Sequence, residues 1–321
     1  MYKSQIKFSF LLFLFSLGLQ GQSLKLASDI WPPFTDTEHK QSIAIDIVSE
    51  ALHRIQIKNT TSIVDFQHVI EGIKSNKYDG SAAFWKTKGR EKSMIFSAPY
   101  LENQLVLVGK QGADINFSSN ARLQYKKLGL VAGYSYDEKL LNDPMIDIVF
   151  SKNDQQNLEK LLSNEIDYFL VDNLLIQYML NVQLNDVKKY LSISDKPFAT
   201  KTLHLAINKD VDNAENIIQE FDKQIKLMMK NGTYNKIMQL DWIEVDINND
   251  GISELVFNGD ASNSSLPKRS YALFFNDTET AGFYINNVHY KDWESVPEQY
   301  KNNIPKQSNE LPRPIGLHIT L

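Results

Sequence analysis

Strand-like and helix-like segments alternate along residues 24–242, and this alternation limits the folds open to the chain. The run IDYFLVD (166–172) is almost continuously apolar, as expected for a strand that is covered on both faces. By contrast, apolar residues recur at helical spacing through 217–229. Such alternation predicts an α/β fold with mostly parallel sheets, which bind ligands beyond the carboxyl ends of their strands.

The predicted strands fall into two sets, and this grouping suggests two lobes. The strands are LKLAS (24–28), TSIVDF (61–66), YDGSAAF (78–84), NQLVLVGK (103–110), KLGLVAG (127–133), IDIVFS (146–151), IDYFLVD (166–172) and LHLAINKD (203–210). The segment NGT (231–233) predicts the end of one helix and the start of another, because Gly ends helices and Thr caps them.

The first 23 residues have the pattern of a secretory signal peptide. Lys3 and Lys7 form a basic start, and the apolar run from Phe8 to Leu19 is too short to span a bilayer comfortably. An uncleaved membrane anchor is the alternative. We expect cleavage near Gly21 to Ser23 and a mature protein in the periplasm.

Composition excludes several classes of function. The formal net charge is −5, which argues against nucleic acid as a partner. The chain has no cysteine, and its six histidines are scattered, so neither a disulfide nor a thiolate or histidine metal site is expected. We expect a monomer that requires no cofactor.

Nine stretches in order resemble a known family. They are WPPF (31–34), IAIDIV (43–48), YDG (78–80), TKGR (87–90), FSAPY (96–100), KLGLVAGYSY (127–136), IDYFLVD (166–172), LHLAINKD (203–210) and NGTYNKIMQLDW (231–242). Together they are similar to the extracytoplasmic solute-binding proteins, family 3, which serve ABC importers of amino acids and similar small polar solutes. The resemblance covers about two thirds of the chain.

The resemblance implies a two-lobed, type II periplasmic-binding-protein-like fold. Lobe 1 would comprise residues 24–108 and 203–242, lobe 2 would comprise 109–202, and 243–321 would form a small β-containing C-terminal extension. Ligand would bind in the cleft between the lobes, which close over it.

Arg90 is the central candidate for ligand binding. A guanidinium can form two parallel hydrogen bonds to a carboxylate, and the resemblance implies that Arg90 holds the α-carboxylate of the ligand. Thr87 precedes it by three residues, where the family often has a threonine. The alternative is a solvated surface arginine with Glu91 as its neighbour.

Three aromatic residues are further candidates. Trp31 and Phe34 follow the first strand, where a ring could stack on a ligand or contact an ammonium; the alternative is that WPPF only packs the surface of the lobe. Trp85 stands where many family members have smaller residues. If Trp85 lines the cleft, the ligand is aromatic or flat, or the pocket is small; otherwise Trp85 faces the core.

The second lobe supplies the remaining candidates. Tyr134 and Ser135 lie at a strand-to-helix turn, and the resemblance implies that Ser135 adds its hydroxyl and N–H to the carboxylate site; a plain Ser N-cap is the alternative. Asp172 ends a buried strand and matches the acidic residue that often binds the α-ammonium. The alternative is the N-cap of the next helix.

The extension opens with VDINNDGISELVF (245–257), which spaces oxygen-bearing residues around a glycine. The candidate Ca²⁺ ligands are Asp246, Asn248, Asp250, Ile252 (through its carbonyl) and Glu254. A metal-free Asn-Asp-Gly hairpin turn is the alternative. The segments SYALFF (270–275) and GFYINNV (282–288) predict a β-hairpin.

The resemblance favours non-catalytic binding of a small polar solute, an amino acid or related carboxylate, and its delivery to an ABC permease. Two alternatives stay open. One is a ligand-sensing module for a membrane sensor. The other is a dehydratase-like enzyme on the same scaffold, for which Glu71, Glu91 and Glu102 are the available acids and bases.

Overall fold

A computed structural model describes most of the chain. The described residues are 22–37, 42–117, 119–180, 186–238, 242–245, 250, 252, 254–257, 282–292 and 294–301. Residues 1–21 of the predicted signal peptide lie outside this set, as do 270–275 of the predicted hairpin. Within the described ranges, no helix has both the length and the apolar composition needed to cross a bilayer.

Strands and helices alternate through the first two thirds of the chain, as predicted. The strands are β1 (Ser23–Ser28), β2 (Lys58–Ile63), β3 (Gly80–Trp85), β4 (Met94–Phe96), β5 (Leu101–Lys110), β6 (Lys127–Val131), β7 (Asp147–Ser151), β8 (Tyr168–Asp172), β9 (Leu191–Ile193) and β10 (Ala199–Asn208). The α-helices are α1 (Ile43–Arg54), α2 (Phe66–Lys74), α3 (Glu138–Leu141), α4 (Asp154–Leu162), α5 (Asn173–Tyr178), α6 (Ala214–Lys230) and α7 (Thr233–Met238).

These ten strands form a continuous mixed sheet with the order β2-β1-β3-β10-β5-β8-β6-β7, while β4 pairs with β10 and β9 with β5. Strand β1 is parallel to β2 and β3, and β6 is parallel to β7 and β8. We call β1 to β4 the first strand group and β6 to β9 the second strand group. The prediction of an α/β fold is confirmed.

The long strands β5 and β10 join the two groups. Residues 101–105 of β5 pair with 199–203 of β10, and residues 105–109 of β5 pair with β8 of the second group. The C-terminal part of β10 pairs with β3 and β4 of the first group. Two crossing strands therefore connect the halves, whereas the lobe boundaries at 108/109 and 202/203 stay predictions.

Several predicted element boundaries differ from those of the structure. We predicted a strand over 61–66, but β2 ends at Ile63 and Phe66 is the first residue of α2. The last long strand begins at Ala199 rather than at residue 203, because residues 199–202 continue the ladder with β5. We predicted Thr233 as the N-cap of a helix over 234–242. Thr233 is instead the first residue of α7, the side chain of Asn231 accepts its N–H at 3.0 Å, and Trp242 begins a strand.

The C-terminal extension forms a second sheet that contacts the main body. It contains β11 (Trp242–Val245), β12 (Glu254–Phe257), β13 (Phe283–Ile285) and β14 (Val288–Tyr290), in that order, followed by α8 (Glu298–Lys301). The Asn235 side chain of α7 donates a 2.9 Å hydrogen bond to the Val256 carbonyl, and Val256 is buried in the main core. The predicted strand 282–288 is interrupted by a turn at Asn286 and Asn287, both of which have positive φ.

Candidate functional site

A small cavity lies where strand ends of the two groups meet. Asp29 follows β1, Trp85 ends β3 and Tyr134 follows β6, so the cavity occupies the position expected for a ligand site in parallel sheets. Its volume is about 20 Å³, close to the space that one water molecule needs. It is lined by Asp29, Trp31, Phe66, Ala83, Phe84, Trp85, Arg90 and Tyr134.

Arg90 lies at this cavity, held by backbone carbonyls from both strand groups. Its Nη1 donates to the Trp85 carbonyl at 2.8 Å, and its Nη2 donates to the Gly133 carbonyl at 3.3 Å. The guanidinium carbon lies 4.4 Å from the ring centroid of Phe84. Burial lowers the Arg90 pKa to about 10, so the guanidinium is still charged at neutral pH.

Arg90 is not the solvated surface arginine, paired with Glu91, that we considered as the alternative. The carboxylate of Glu91 lies 3.0 Å from Nζ of Lys86, and Arg90 points towards the cavity instead. Thr87 does not line the cavity. Its hydroxyl accepts the backbone N–H of Arg90 at 3.2 Å, at the start of a short 3₁₀ helix over Arg90–Lys92. Thr87 therefore supports the turn that presents Arg90.

Asp29 is a cavity residue that we did not predict. Its Oδ2 accepts a hydrogen bond from the Tyr134 hydroxyl at 3.0 Å. Burial raises the Asp29 pKa to about 6, while the Tyr134 hydrogen bond and the positive charge of Arg90 oppose this rise. The signal was present in the sequence, since an acidic residue directly follows the first strand in SDIWPPF.

Aromatic rings form most of the cavity wall. The ring centroids of Trp31 and Trp85 lie 5.7 Å apart, and those of Trp85 and Tyr134 lie 5.3 Å apart. Phe66 is another cavity residue that we did not predict, and its ring centroid lies 5.2 Å from that of Tyr134. Phe34 is fully buried behind Trp31, with ring centroids 4.8 Å apart, and does not line the cavity.

Trp85 is fixed by a buried chain of hydrogen bonds. Its Nε1 donates to Oδ1 of Asn103 at 2.8 Å, and Nδ2 of Asn103 donates to Oδ2 of Asp172 at 3.1 Å. All three residues are buried. A tryptophan held in this way forms a rigid wall, because rotating the indole would leave Asn103 without this partner.

Asp172 caps helix α5 and does not line the cavity. Its Oδ1 accepts the N–H groups of Leu174 and Leu175 at 2.8 and 3.2 Å, so the arrangement is the N-cap that we considered as the alternative. Burial raises its pKa to about 7, and hydrogen bonds from Leu175, Asn103 and Leu174 oppose the rise. Direct contact between Asp172 and a ligand ammonium stays a prediction.

The turn after β6 places Tyr134 at the cavity but not Ser135. Gly133 has φ of +82°, a conformation that favours glycine, and it turns the chain so that Tyr134 faces Asp29. Ser135 is half-buried and does not line the cavity. The N-cap alternative for Ser135 is wrong, because Asp137 caps α3 by accepting the Lys139 N–H at 2.7 Å.

A further buried acid lies near the site. Asp154 begins α4, and burial raises its pKa to about 8; the negative charges of Asp29 and Asp172 add to the rise. The acidic groups near the cavity thus disfavour one another's ionisation, and Asp154 is the one most readily protonated at neutral pH.

The candidate calcium loop is described only in part. Asp246 and Asn248 lie outside the described residues. Oδ1 of Asp250 accepts the N–H of Ile252 at 2.9 Å, and Glu254 is buried in β12. Across the part of the chain that the structure describes, no three His, Cys, Asp or Glu side chains come together as a metal site. Calcium binding stays a prediction.

Known proteins resemble this chain in sequence and in fold. A curated relative, the putative ABC transporter arginine-binding protein 2 of Escherichia coli (strain K12), is 25% identical over 232 residues, covering 70% of this chain and 92% of the relative. An ancestral arginine-binding protein bound to arginine superposes with a TM-score of 0.58 and 24% identity, covering 68% of this chain and 96% of that one.

The GluR0 ligand-binding core from Nostoc punctiforme, solved with L-glutamate, gives a TM-score of 0.56 at 19% identity, covering 67% of this chain and 97% of that one. Such neighbours confirm the two-lobed periplasmic-binding-protein fold. The sequence model of bacterial extracellular solute-binding proteins, family 3, matches residues 24–244, which include every residue that lines the cavity. The chain belongs to this family of extracellular solute-binding proteins.

Proposed function

We propose that the chain binds a small carboxylate-bearing solute, an amino acid or a close relative, and passes it to an ABC importer without catalysis. The observation that carries the proposal is the position of Arg90, whose guanidinium lies at a cavity between the two strand groups. The named ligands of the relatives and neighbours, arginine and glutamate, support a ligand with an α-carboxylate.

Each wall of the cavity has a role in this proposal. Arg90 binds the carboxylate, because its planar guanidinium can donate two parallel hydrogen bonds to it. Asp29 balances a positive charge on the ligand. Tyr134 belongs to the second strand group and closes the cavity against Asp29 of the first, so ligand contacts with both would draw the halves together.

A binding role suits the cavity better than catalysis does. The acids available for a dehydratase, Glu71, Glu91 and Glu102, do not line the cavity. Glu71 is exposed on α2, where it accepts a hydrogen bond from Gln67 at 2.9 Å. We place the mature protein in the periplasm, after removal of the predicted signal peptide.

A thermal-shift screen tests the proposal. Amino acids and small carboxylic acids are added to the purified mature chain, and a ligand at about 100 times its dissociation constant should add about 2.7 kcal/mol to the free energy of unfolding. Arg90→Ala should abolish the shift. Arg122→Ala is the matched control, because Arg122 is exposed and pairs with Asp114 away from the cavity, and it should keep the shift.

An equal shift in Arg90→Ala would remove Arg90 from the site. The absence of a shift with every carboxylate would contradict the proposed function itself.

A further inference from the structure

The side chain of Tyr134 extends from the second strand group into the first. Its hydroxyl donates to Oδ2 of Asp29 at 3.0 Å. Its ring centroid lies 5.2 Å from that of Phe66, 5.3 Å from that of Trp85 and 6.1 Å from that of Trp31. All four partners belong to the part of the chain that carries the first strand group, since two follow β1, one begins α2 and one ends β3.

The inserted ring fills space that a solute needs. With Tyr134 in this position, the cavity beside Arg90 has a volume of about 20 Å³, which is room for one water molecule. Even the smallest amino acid is several times larger than a water molecule. An amino acid and the Tyr134 ring therefore exclude each other from this part of the cavity.

The contacts of Tyr134 have favourable geometry. Its ring meets Phe66 at 74° and Trp85 at 69°, close to the edge-to-face arrangement that aromatic pairs prefer. Burial raises the Tyr134 pKa well above its ordinary value, so the hydroxyl keeps its proton and donates it to the hydrogen bond with Asp29. The first strand group thus holds this ring as a binding site holds a ligand, with apolar walls and a polar contact that fixes its orientation.

A neighbouring tyrosine differs from Tyr134 in the partner of its hydroxyl. Tyr136 is buried, and its hydroxyl accepts the N–H of Val131 at 3.1 Å, so this hydrogen bond stays within the second strand group. The hydroxyl bond of Tyr134 crosses to the first group instead. Separation of the halves therefore breaks the bond of Tyr134 and keeps that of Tyr136.

We propose that Tyr134 is an autoinhibitory plug, whose side chain closes the two halves on each other without a solute and leaves the first strand group when a solute binds. The solute and the plug then compete for the same space. The apparent affinity for the solute is lowered in proportion to the fraction of chains that are competent to bind it. Once a solute occupies the space, the halves close over it with Tyr134 displaced from Asp29.

Spin labels on the two halves test the plug without any ligand. The chain has no cysteine, so Gln67→Cys on α2 and Lys139→Cys on α3, both at exposed positions, provide the labelling sites. Unfolding, dialysis and refolding first remove any bound solute, and double electron–electron resonance then measures the distance between the labels. Adding Tyr134→Ser, which removes the ring and its hydrogen bond, should shift the distances to longer values. If Tyr134→Ser fails to fold, Tyr134→Phe replaces it.

Calorimetric titration of Tyr134→Phe tests the competition, and this measurement rests on the proposed function. The probes are glycine, L-glutamate and L-arginine. A probe that binds the wild type should bind Tyr134→Phe about two- to tenfold more tightly, because the variant removes one hydrogen bond that holds the plug. A residue that only contacts the ligand would show weaker binding instead. Tyr168→Phe is the control, because it removes a hydroxyl bond to the Asp114 carbonyl away from the cavity, and it should leave the affinity unchanged.

The possible failures are distinguishable. Equal label distances with and without the substitution at Tyr134 would overturn the plug. Binding to Tyr134→Phe that is equal to or weaker than binding to the wild type would also overturn it, and the carboxylate-binding function would stand. If the distances lengthen as expected but no carboxylate of the thermal-shift screen binds the wild type or Tyr134→Phe, the plug stands and the proposed function is overturned.

Discussion

The hydroxyl of Tyr134 donates a 3.0 Å hydrogen bond to Oδ2 of Asp29, joining two residues that are 105 positions apart in the sequence. Asp29 follows the first strand of the first strand group, and Tyr134 follows the first strand of the second. The bond therefore links the two halves directly across the cavity. Arg90 adds a second link through the carbonyl of Gly133, at 3.3 Å.

Asp29 should make stability depend on pH in a predictable direction. Burial raises its pKa from 3.8 to about 6, so the buried group resists ionisation. Its contribution to stability is full below pH 3.8 and is lost as the pH rises through 6, with an upper limit of about 3 kcal/mol. The Asp29→Asn variant cannot ionise, so it should gain stability relative to the wild type as the pH rises from 4 to 7.

Urea denaturation of both proteins at pH 4, 5, 6 and 7 measures this difference. Asp147→Asn, at an exposed position that begins β7, is the matched control for removing a carboxylate away from the cavity. If the free energies of unfolding of the wild type and Asp29→Asn differ by the same amount at every pH, Asp29 ionises in the folded protein as it does in the unfolded chain, and the prediction is contradicted.

Asn103 should be important for stability although it is not at the cavity. The Asn103→Leu variant leaves Nε1 of Trp85 and Oδ2 of Asp172 buried without this partner. Because unpaired buried polar groups cost about 1–3 kcal/mol each, the free energy of unfolding should fall by about 2–5 kcal/mol. Denaturant unfolding followed by tryptophan fluorescence measures the loss.

Asn103→Asp provides a second test of the same chain of hydrogen bonds. It keeps an acceptor for Trp85 but places a carboxyl group against Asp172, whose pKa is about 7. Raising the pH from 5 to 8 should therefore lower the free energy of unfolding of this variant by more than it lowers that of the wild type. If Asn103→Leu lowers the free energy of unfolding by less than about 0.5 kcal/mol, the hydrogen bonds of Asn103 to Trp85 and Asp172 have no structural importance.

Gly133 should tolerate alanine poorly. Its φ is +82°, and an added Cβ would lie 3.3 Å from the ring of Phe66, so Gly133→Ala combines backbone strain with crowding. We expect a loss of about 1–2 kcal/mol, together with weaker ligand binding because the Gly133 carbonyl holds Arg90.

Two glycines serve as controls for that experiment. Gly112 has the same φ of +82° but open space around a Cβ, so Gly112→Ala measures the backbone strain alone. Gly89 has φ of −66°, and Gly89→Ala should be neutral or stabilising by up to about 1 kcal/mol. Thermal unfolding compares the three, and equal stability of Gly133→Ala and Gly89→Ala would contradict the prediction.

The strands and most helices could be predicted because their apolar periodicity is a local property. The run IDYFLVD was assigned to a buried strand, and β8 is buried throughout. The order of motifs was sufficient to identify the family. The end of β2 was predicted too late, since Phe66 continues the apolar pattern of the strand but begins a helix with its ring at the cavity.

The site was predicted less completely because its contacts are tertiary. Arg90, Trp31, Trp85 and Tyr134 line the cavity, and their contact with a ligand stays a prediction. The sequence places Asp172 at a strand end. Nothing in the sequence indicates that the side chain of Asn103, 69 residues away, donates a hydrogen bond to the Asp172 carboxylate. Asp29 is not among the predicted site residues, because its contact with Tyr134 joins positions that are distant in the sequence.

The binding role of Arg90 is the central claim, and a double-mutant cycle on protein and ligand tests it directly. The tightest carboxylate from the screen and its uncharged primary amide are titrated into wild type and into Arg90→Ala by calorimetry. If Arg90 holds the carboxylate, the wild type should prefer the acid to the amide by about tenfold or more, and Arg90→Ala should show no preference. An equal preference in both proteins would contradict the account.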